Sequence, residues 1–250
     1  MQKTLRALAD GELTVEEAEA KLSGYATTDA GRFDAVRETR RGIPEAILSD
    51  GKATEEIISL TQTALNTTDR AIITRIDETE ATMLKNAVDD TTIISHDKRA
   101  RTVIMHSPEF EQPTVDAAVA IVTGGTADLP VAGEAKAITE AIGIETTLIT
   151  DVGVANLTRM VDQLDRIKQA DVVIVAAGRE GALPTVVAGL VDAPVIGLPT
   201  SIGYGAGGKG EAALYGMLQS CTVLTTVNID AGFTAGAQAG LIARRIAGDR

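Results

Sequence analysis

The chain has no tryptophan, three phenylalanines and three tyrosines in 250 residues, so any core it builds is aliphatic. It has one cysteine, Cys221. A single thiol excludes an intramolecular disulfide and a thiolate metal cluster, and it points to a reducing, cytoplasmic setting. Histidine is nearly absent: His96 and His106 stand outside any metal-ligand spacing, and none follows. No apolar run approaches a membrane span, and the start MQKTLRALADGELT turns polar too early for a secretory signal. The Asn-x-Thr tripeptides at Asn66 and Asn156 therefore carry no glycosylation meaning. Cations are also scarce, 8 Lys and 15 Arg against 35 Asp plus Glu, for a formal net charge of −12. Such a surface repels nucleic acid and anionic membrane, so neither is an expected partner.

What is present is 44% hydrophobic residues and 24 glycines, many clustered after apolar runs. That pattern suits strand-to-loop turns. Residues 1–24 read as a helical pair with a capping box at Thr14 and Glu17. Strands are expected at Phe33–Val36, Ala71–Ile76, Ile93–Ser95 and Val103–Met105, with a helix over Thr54–Ala64. The proline-flanked stretch His106–Pro113 divides an N-terminal α/β domain, 1–112, from a second domain, 113–250. In that second part AAVAIVTGG (117–125) is a continuous apolar run ended by glycines, as in a strand buried on both faces. Further strands are expected at 146–149, 171–178, 194–199 and 224–229, and helices at 131–142, 156–169, 183–190, 210–219 and 234–246. This alternation predicts a doubly wound, mostly parallel sheet.

In open parallel sheets ligands bind beyond the strand carboxyl ends. Four polar, glycine-containing segments fall there: Thr123–Pro130, Ala177–Pro184, Pro199–Gly208 and Asn228–Phe233. Glycines let a backbone approach a phosphate, and helix N-termini supply unpaired N–H groups. Gly203–Lys209 resembles the start of a P-loop, but Gly210 stands where Ser or Thr would hold magnesium, so an NTPase is not expected. Carboxylates Asp128, Glu180 and Asp230 at these ends suit magnesium, ribose hydroxyls or proton transfer. Helix N-capping is the plainer role for Asp128. Cys221 reads either as a small buried hydrophobe or as a nucleophile.

These segments together resemble the LarB family, pyridinium-3,5-biscarboxylic acid mononucleotide synthase. The resemblance rests on Arg41-Gly-Ile-Pro-Glu45, Gly51-Lys-Ala-Thr54, Gly125-Thr-Ala-Asp-Leu-Pro-Val131, Glu180-Gly-Ala-Leu-Pro184, Pro199-Thr-Ser-Ile-Gly-Tyr-Gly205, Gly216-Met-Leu-Gln-Ser-Cys221 and Val227-Asn-Ile-Asp-Ala-Gly-Phe233. It covers most of residues 30–245. The second half is similar to the PurE-type carboxylases, which implies a PurE-like sheet and a homo-oligomer, possibly an octamer. It also implies carboxylation of the pyridinium ring of nicotinic acid adenine dinucleotide by carbon dioxide or bicarbonate. Cleavage of the phosphoanhydride then releases AMP, as the first step of nickel-pincer cofactor biosynthesis. By this resemblance Cys221 is the nucleophile and Glu180 the proton acceptor or the group that orients the carboxylate. Nucleotide contacts are expected from Gly125, Thr126, Asp128, Pro130, Gly178, Gly181, Ser201, Tyr204, Gly205, Asn228 and Asp230, with Asp128 and Asp230 as magnesium ligands. Arg179 departs from the pattern, standing where an apolar residue, usually Met, is more familiar.

Two other readings are aminoimidazole ribonucleotide carboxylation or mutation, and a non-catalytic nucleotide sensor. The PurE proteins carry a histidine just before the Leu-Pro of the second loop, where this chain has Ala182. The charge balance also suits a salt-rich cytosol, in which counterions screen self-repulsion. The midpoint of thermal unfolding is therefore expected to rise with potassium chloride; a midpoint indifferent to salt would contradict this.

Overall fold

The run that ends in Thr123 becomes a strand whose last five residues are all buried. In the computed structural model, residues 2–248 are described, apart from the side chains of Lys3, Glu16, Glu17, Ala20 and Lys21. The Thr14–Glu17 capping box thus lies outside the described residues. The chain divides between Glu111 and Gln112 into two compact units. No described helix is long and apolar enough to cross a membrane.

The first unit opens with helices α1 (Gln2–Ala9) and α2 (Val15–Ser23). A short antiparallel pair follows, β1 (Ala26–Thr28) with β2 (Gly31–Phe33). The strand expected at Phe33–Val36 is therefore displaced. Only Phe33 belongs to β2, because Ala35 N–H bonds back to Phe33 O and Val36 opens helix α3 (Arg37–Arg41). Next come β3 (Ile47–Leu48), α4 (Thr54–Thr68), β4 (Arg70–Thr74), α5 (Glu78–Asn86), β5 (Ile93–Asp97) and β6 (Thr102–His106). Asp77 and Glu80 form a reciprocal capping box at the start of α5. The four-stranded sheet runs β3-β4-β6-β5, parallel only between β3 and β4. Ile57, Leu60 and Ala64 of α4 seal one face against Ile47, Ala71, Ile73, Val103 and Met105. Both histidines belong to this unit, His96 beside Lys85 Nζ and His106 bonded to Ser107 O.

The second unit contains β7 (Val115–Thr123), α6 (Leu129–Ile142), β8 (Ile144–Ile149), α7 (Leu157–Val161), α8 (Leu164–Ile167) and β9 (Val172–Ala177). It continues through α9 (Ala182–Ala188), β10 (Val195–Pro199), α10 (Glu211–Leu218), β11 (Thr225–Thr226) and α11 (Gly232–Ile246). All five strands are parallel, in the order β11-β10-β9-β7-β8. The expected helix over 156–169 breaks into α7 and α8. Hydrogen bonds three residues back, from Gln163 to Met160 and from Arg166 to Gln163, interrupt the helix, and Met160 and Ile167 on either side of the break both enter the core. The last expected strand shrinks to two residues at the sheet edge, although Val227 N–H still reaches Gly197 O.

Helices α7 to α10 cover one face of this sheet, through Met160, Ile167, Leu183, Val187, Ala213 and Met217. Helices α6 and α11 pack on each other and on the strands. Their backbones meet closely because α11 presents Gly232, Gly236 and Gly240 at four-residue spacing. A Cβ at Gly236 would lie 2.5 Å from Ala135 O, and one at Gly232 only 2.4 Å from Val131 O. Gly236→Ala is expected to force these helices apart and to cost about 1–3 kcal/mol in denaturant unfolding. A variant as stable as the native chain would show that the contact tolerates expansion.

Candidate active site at the carboxyl edge of the parallel sheet

With β7 and β8 on one side and β9, β10 and β11 on the other, strand order reverses between β7 and β9. The connections after β7 and β9 leave on opposite sides of the sheet there, which opens a crevice at their carboxyl ends. A pocket of about 520 Å³ occupies this place. Its walls are the loops after β7 (Gly124, Gly125, Ala127, Asp128), β8 (Gly153–Ala155), β9 (Gly178–Glu180) and β10 (Ile202–Tyr204). Arg159 of α7 and Ala182 and Leu183 of α9 also line it.

These loops are stitched to one another. Gly178 admits no side chain, because its Cβ would sit 2.1 Å from Ile202 O, and Arg179 N–H donates to that same carbonyl. Gly153 likewise lies against Gly124 O. Helix α10 holds the β9 loop from behind: Gly216 leaves room for Glu180 O, and Gly181 for Ala213 O. Arg179 (φ 50°) and Gly181 (φ 66°) both adopt the left-handed conformation that turns this loop. The turn brings the Arg179 guanidinium over the Tyr204 ring, 4.3 Å from its centre.

Asp128 forms the floor and is 5% exposed. It does not cap α6. Its Oδ2 accepts from Gly125 N–H at 2.8 Å, and its Oδ1 accepts from the buried Thr200 hydroxyl at 2.6 Å. Burial raises its pKa above the ordinary carboxylate value. The Thr200 hydroxyl and the amides of Gly125 and Gly178 oppose that rise, while the charge of Asp230 adds to it. Asp230 itself, at φ 54°, accepts Ser201 N–H at 2.8 Å and joins the β10 and β11 loops.

Of the residues singled out in the sequence, Gly125, Asp128, Gly178, Glu180 and Tyr204 line the pocket. Thr126, Pro130, Gly181, Ser201, Gly205, Asn228 and Asp230 lie in the same loops or the adjoining helix starts but not on its wall. Cys221 is exposed and so is no core filler. It follows α10, outside the pocket lining, where Ser220 and Thr222 bond to Thr185 of α9. Sequence reasoning missed the β8 loop, Arg159 and Thr200. The glycine in Asp151-Val-Gly-Val154, between a strand and a helix, was the available signal.

Asp128 and Asp230 would offer magnesium two carboxylates already engaged by protein donors. No group of three His, Cys, Asp or Glu suited to a metal occurs among the described residues. These side chains alone do not make a magnesium cage. The titratable residues on the pocket wall are Asp128, Arg159, Arg179, Glu180 and Tyr204. With Asp128 tied into the floor, Glu180, exposed at the wall, is the carboxylate placed to take a proton from a bound molecule.

The raised pKa of Asp128 fixes a sign. The native state binds its proton more tightly than the unfolded chain does. Stability contributed by this group is therefore greatest below the ordinary value of 3.8 and falls as pH climbs to the raised native pKa. Asp128→Asn should lose that segment of the stability profile. It should also be weaker overall by about 1–3 kcal/mol, since an amide cannot accept from both Gly125 and Thr200. Denaturant unfolding at a series of pH values checks both; a native–variant difference that is constant with pH would contradict the assignment.

The family model described as AIR carboxylase matches residues 118–250, and that of the LarB/PurE-like N-terminal domain matches residues 25–107. The uncharacterized protein MJ0165 of Methanocaldococcus jannaschii is 37% identical over 254 residues, spanning 98% of this chain and 97% of its own. Among solved structures, a single-substitution variant of PurE2 from Treponema denticola is 26% identical over 52% of this chain and 78% of its own, with a TM-score of 0.41. Treponema denticola PurE is 24% identical at the same coverage and TM-score. The chain belongs to the AIR carboxylase family and is an enzyme of its LarB/PurE-related type.

Proposed function

We propose that this enzyme carboxylates the pyridinium ring of nicotinic acid adenine dinucleotide and hydrolyses its phosphoanhydride. The products are pyridinium-3,5-biscarboxylic acid mononucleotide and AMP. The observation that carries the reading is the makeup of the pocket wall. It offers one exposed carboxylate, Glu180, two guanidinium groups and no imidazole, and Ala182 stands where purine carboxylation would place its histidine. The match of residues 25–107 to a LarB/PurE-like N-terminal domain supports the same reading.

A pyridinium ring is electrophilic, and carboxylating it requires that it first become electron-rich. The Cys221 thiolate adds to a ring carbon, the π electrons move onto nitrogen, and the ring becomes a neutral enamine. The enamine attacks carbon dioxide, supplied as such or by dehydration of bicarbonate, through the neighbouring ring carbon. Glu180 takes the proton from that carbon, the freed pair re-forms the enamine, and expulsion of the thiolate restores the aromatic cation. Water then adds to one phosphorus of the anhydride while the bridging oxygen departs with the other. Arg159 and Arg179 are placed to hold the phosphates. No step passes through a metal; magnesium, where required, would travel with the phosphates.

Because Cys221 is outside its own chain's pocket, the reading includes a homo-oligomer, with an octamer as its fullest form, in which one copy supplies Cys221 to the pocket of a neighbour. Leu218 and Val223, flanking this segment, are 61% and 94% exposed, as suits a surface covered by another copy.

Purified protein given nicotinic acid adenine dinucleotide, magnesium and labelled bicarbonate is expected to release AMP and a labelled mononucleotide. Glu180→Gln and Cys221→Ser should each abolish labelling while remaining folded. Co-expressed together, the two variants should regain activity, about a quarter of native sites by random assortment. An active Cys221→Ser protein would end the proposal, and a mixture that stays inactive would place both residues in one chain.

A further inference from the structure

A second concavity, of about 380 Å³, opens beyond the carboxyl end of β8, which is an edge strand of the sheet. Asp162, Gln163 and Arg166, from the junction of α7 and α8, line it together with Thr150 and Asp151 of the loop after β8. Arg159 lines both this concavity and the active-site pocket. Its Nη1 is paired with Asp151 Oδ2 at 2.9 Å, and its side chain remains 39% exposed. A part-exposed guanidinium that lines two adjoining cavities is suited to a bridging anion.

The second cavity's own groups have a different character. Arg166 Nη1 donates to Gln163 Oε1 at 2.7 Å, which fixes the carboxamide and leaves its NH₂ free to donate elsewhere. Asp162 is exposed at the rim, a carboxylate that can accept from a pair of vicinal hydroxyls. A diol acceptor, an amide edge and two guanidiniums together match a nucleoside monophosphate. Each cavity is in the size range of a small-molecule site.

We infer that this concavity is the subsite for the adenylate half of the substrate. The dinucleotide spans the two cavities, with its nicotinate mononucleotide half beside Glu180 and its phosphoanhydride at Arg159. The inference rests on the dinucleotide reading above, but its test does not depend on turnover. It also gives the anhydride cleavage a physical setting, since the two halves would occupy separate cavities and part as two monophosphates.

Equilibrium dialysis of the full chain with AMP, and separately with nicotinic acid mononucleotide, tests the assignment without inorganic carbon. Native protein should bind both. Asp162→Ala and Gln163→Ala, surface changes whose folding circular dichroism can verify, should each weaken AMP by roughly tenfold and leave the mononucleotide within roughly twofold. Arg159→Gln should weaken both ligands. Absence of AMP binding, AMP binding indifferent to both surface changes, or equal loss of the two ligands would overturn the subsite. A protein that fails to carboxylate yet shows the selective loss would retain the subsite and sink only the reaction.

Discussion

The candidate site depends on one buried carboxylate. Asp128 ties the loop that follows β7 to the loop that follows β10, through Gly125 N–H on one oxygen and the Thr200 hydroxyl on the other. Backbone bonds tie each of these loops to the end of β9, Gly124 N–H to Ala176 O and Thr200 N–H to Ala177 O, and Asp128 joins them directly to each other. Burying the charge is costly, as its raised pKa records, and the polar groups aimed at it offset that cost. A pocket wall made largely of glycine, alanine and backbone needs such a fixed point, because it has few side chains to interlock.

Glycine provides the other constraint. At Gly178 and Gly153 the backbone of a neighbouring loop lies where a side chain would otherwise be, and at Gly181 and Gly216 the loop after β9 and helix α10 meet in the same way. The same means sets α6 against α11 behind the sheet through Gly232, Gly236 and Gly240. A chain with so few aromatic residues gains its packing from close backbone approach in place of large side chains.

Much of the second unit was legible in the sequence because a parallel sheet imposes a simple pattern. Strands buried on both faces read as unbroken apolar runs, and β7, β9 and β10 were found that way. Where burial is partial the signal fails, as at the short, half-exposed β11, and the break at Gln163 leaves Met160 and Ile167 at the seven-residue spacing of a continuous helix, so the pattern does not reveal it. In the first unit the two-residue β3 is fixed by β4, a partner distant in sequence, while the displaced β2 belongs to a local hairpin with β1 whose three-residue strands are too short to show a period. Within the site, Asp128 and Glu180 stood out as carboxylates at strand ends, but the role of Asp128 did not. A local reading makes it a helix cap, and only the 72-residue reach to Thr200 shows it to be a tie between loops. Arg159 carries no local mark at all, since its position beside two cavities is set by where α7 lands on the sheet.

The claim that the strand-order reversal houses the reacting ring is most directly tested by a crystal structure of the protein soaked with nicotinic acid mononucleotide. The account predicts the ligand between the Gly124–Asp128 loop and Glu180, with its phosphate within hydrogen-bonding distance of Arg159 or Arg179. A mononucleotide bound elsewhere, or with its ring turned away from Glu180, would contradict it.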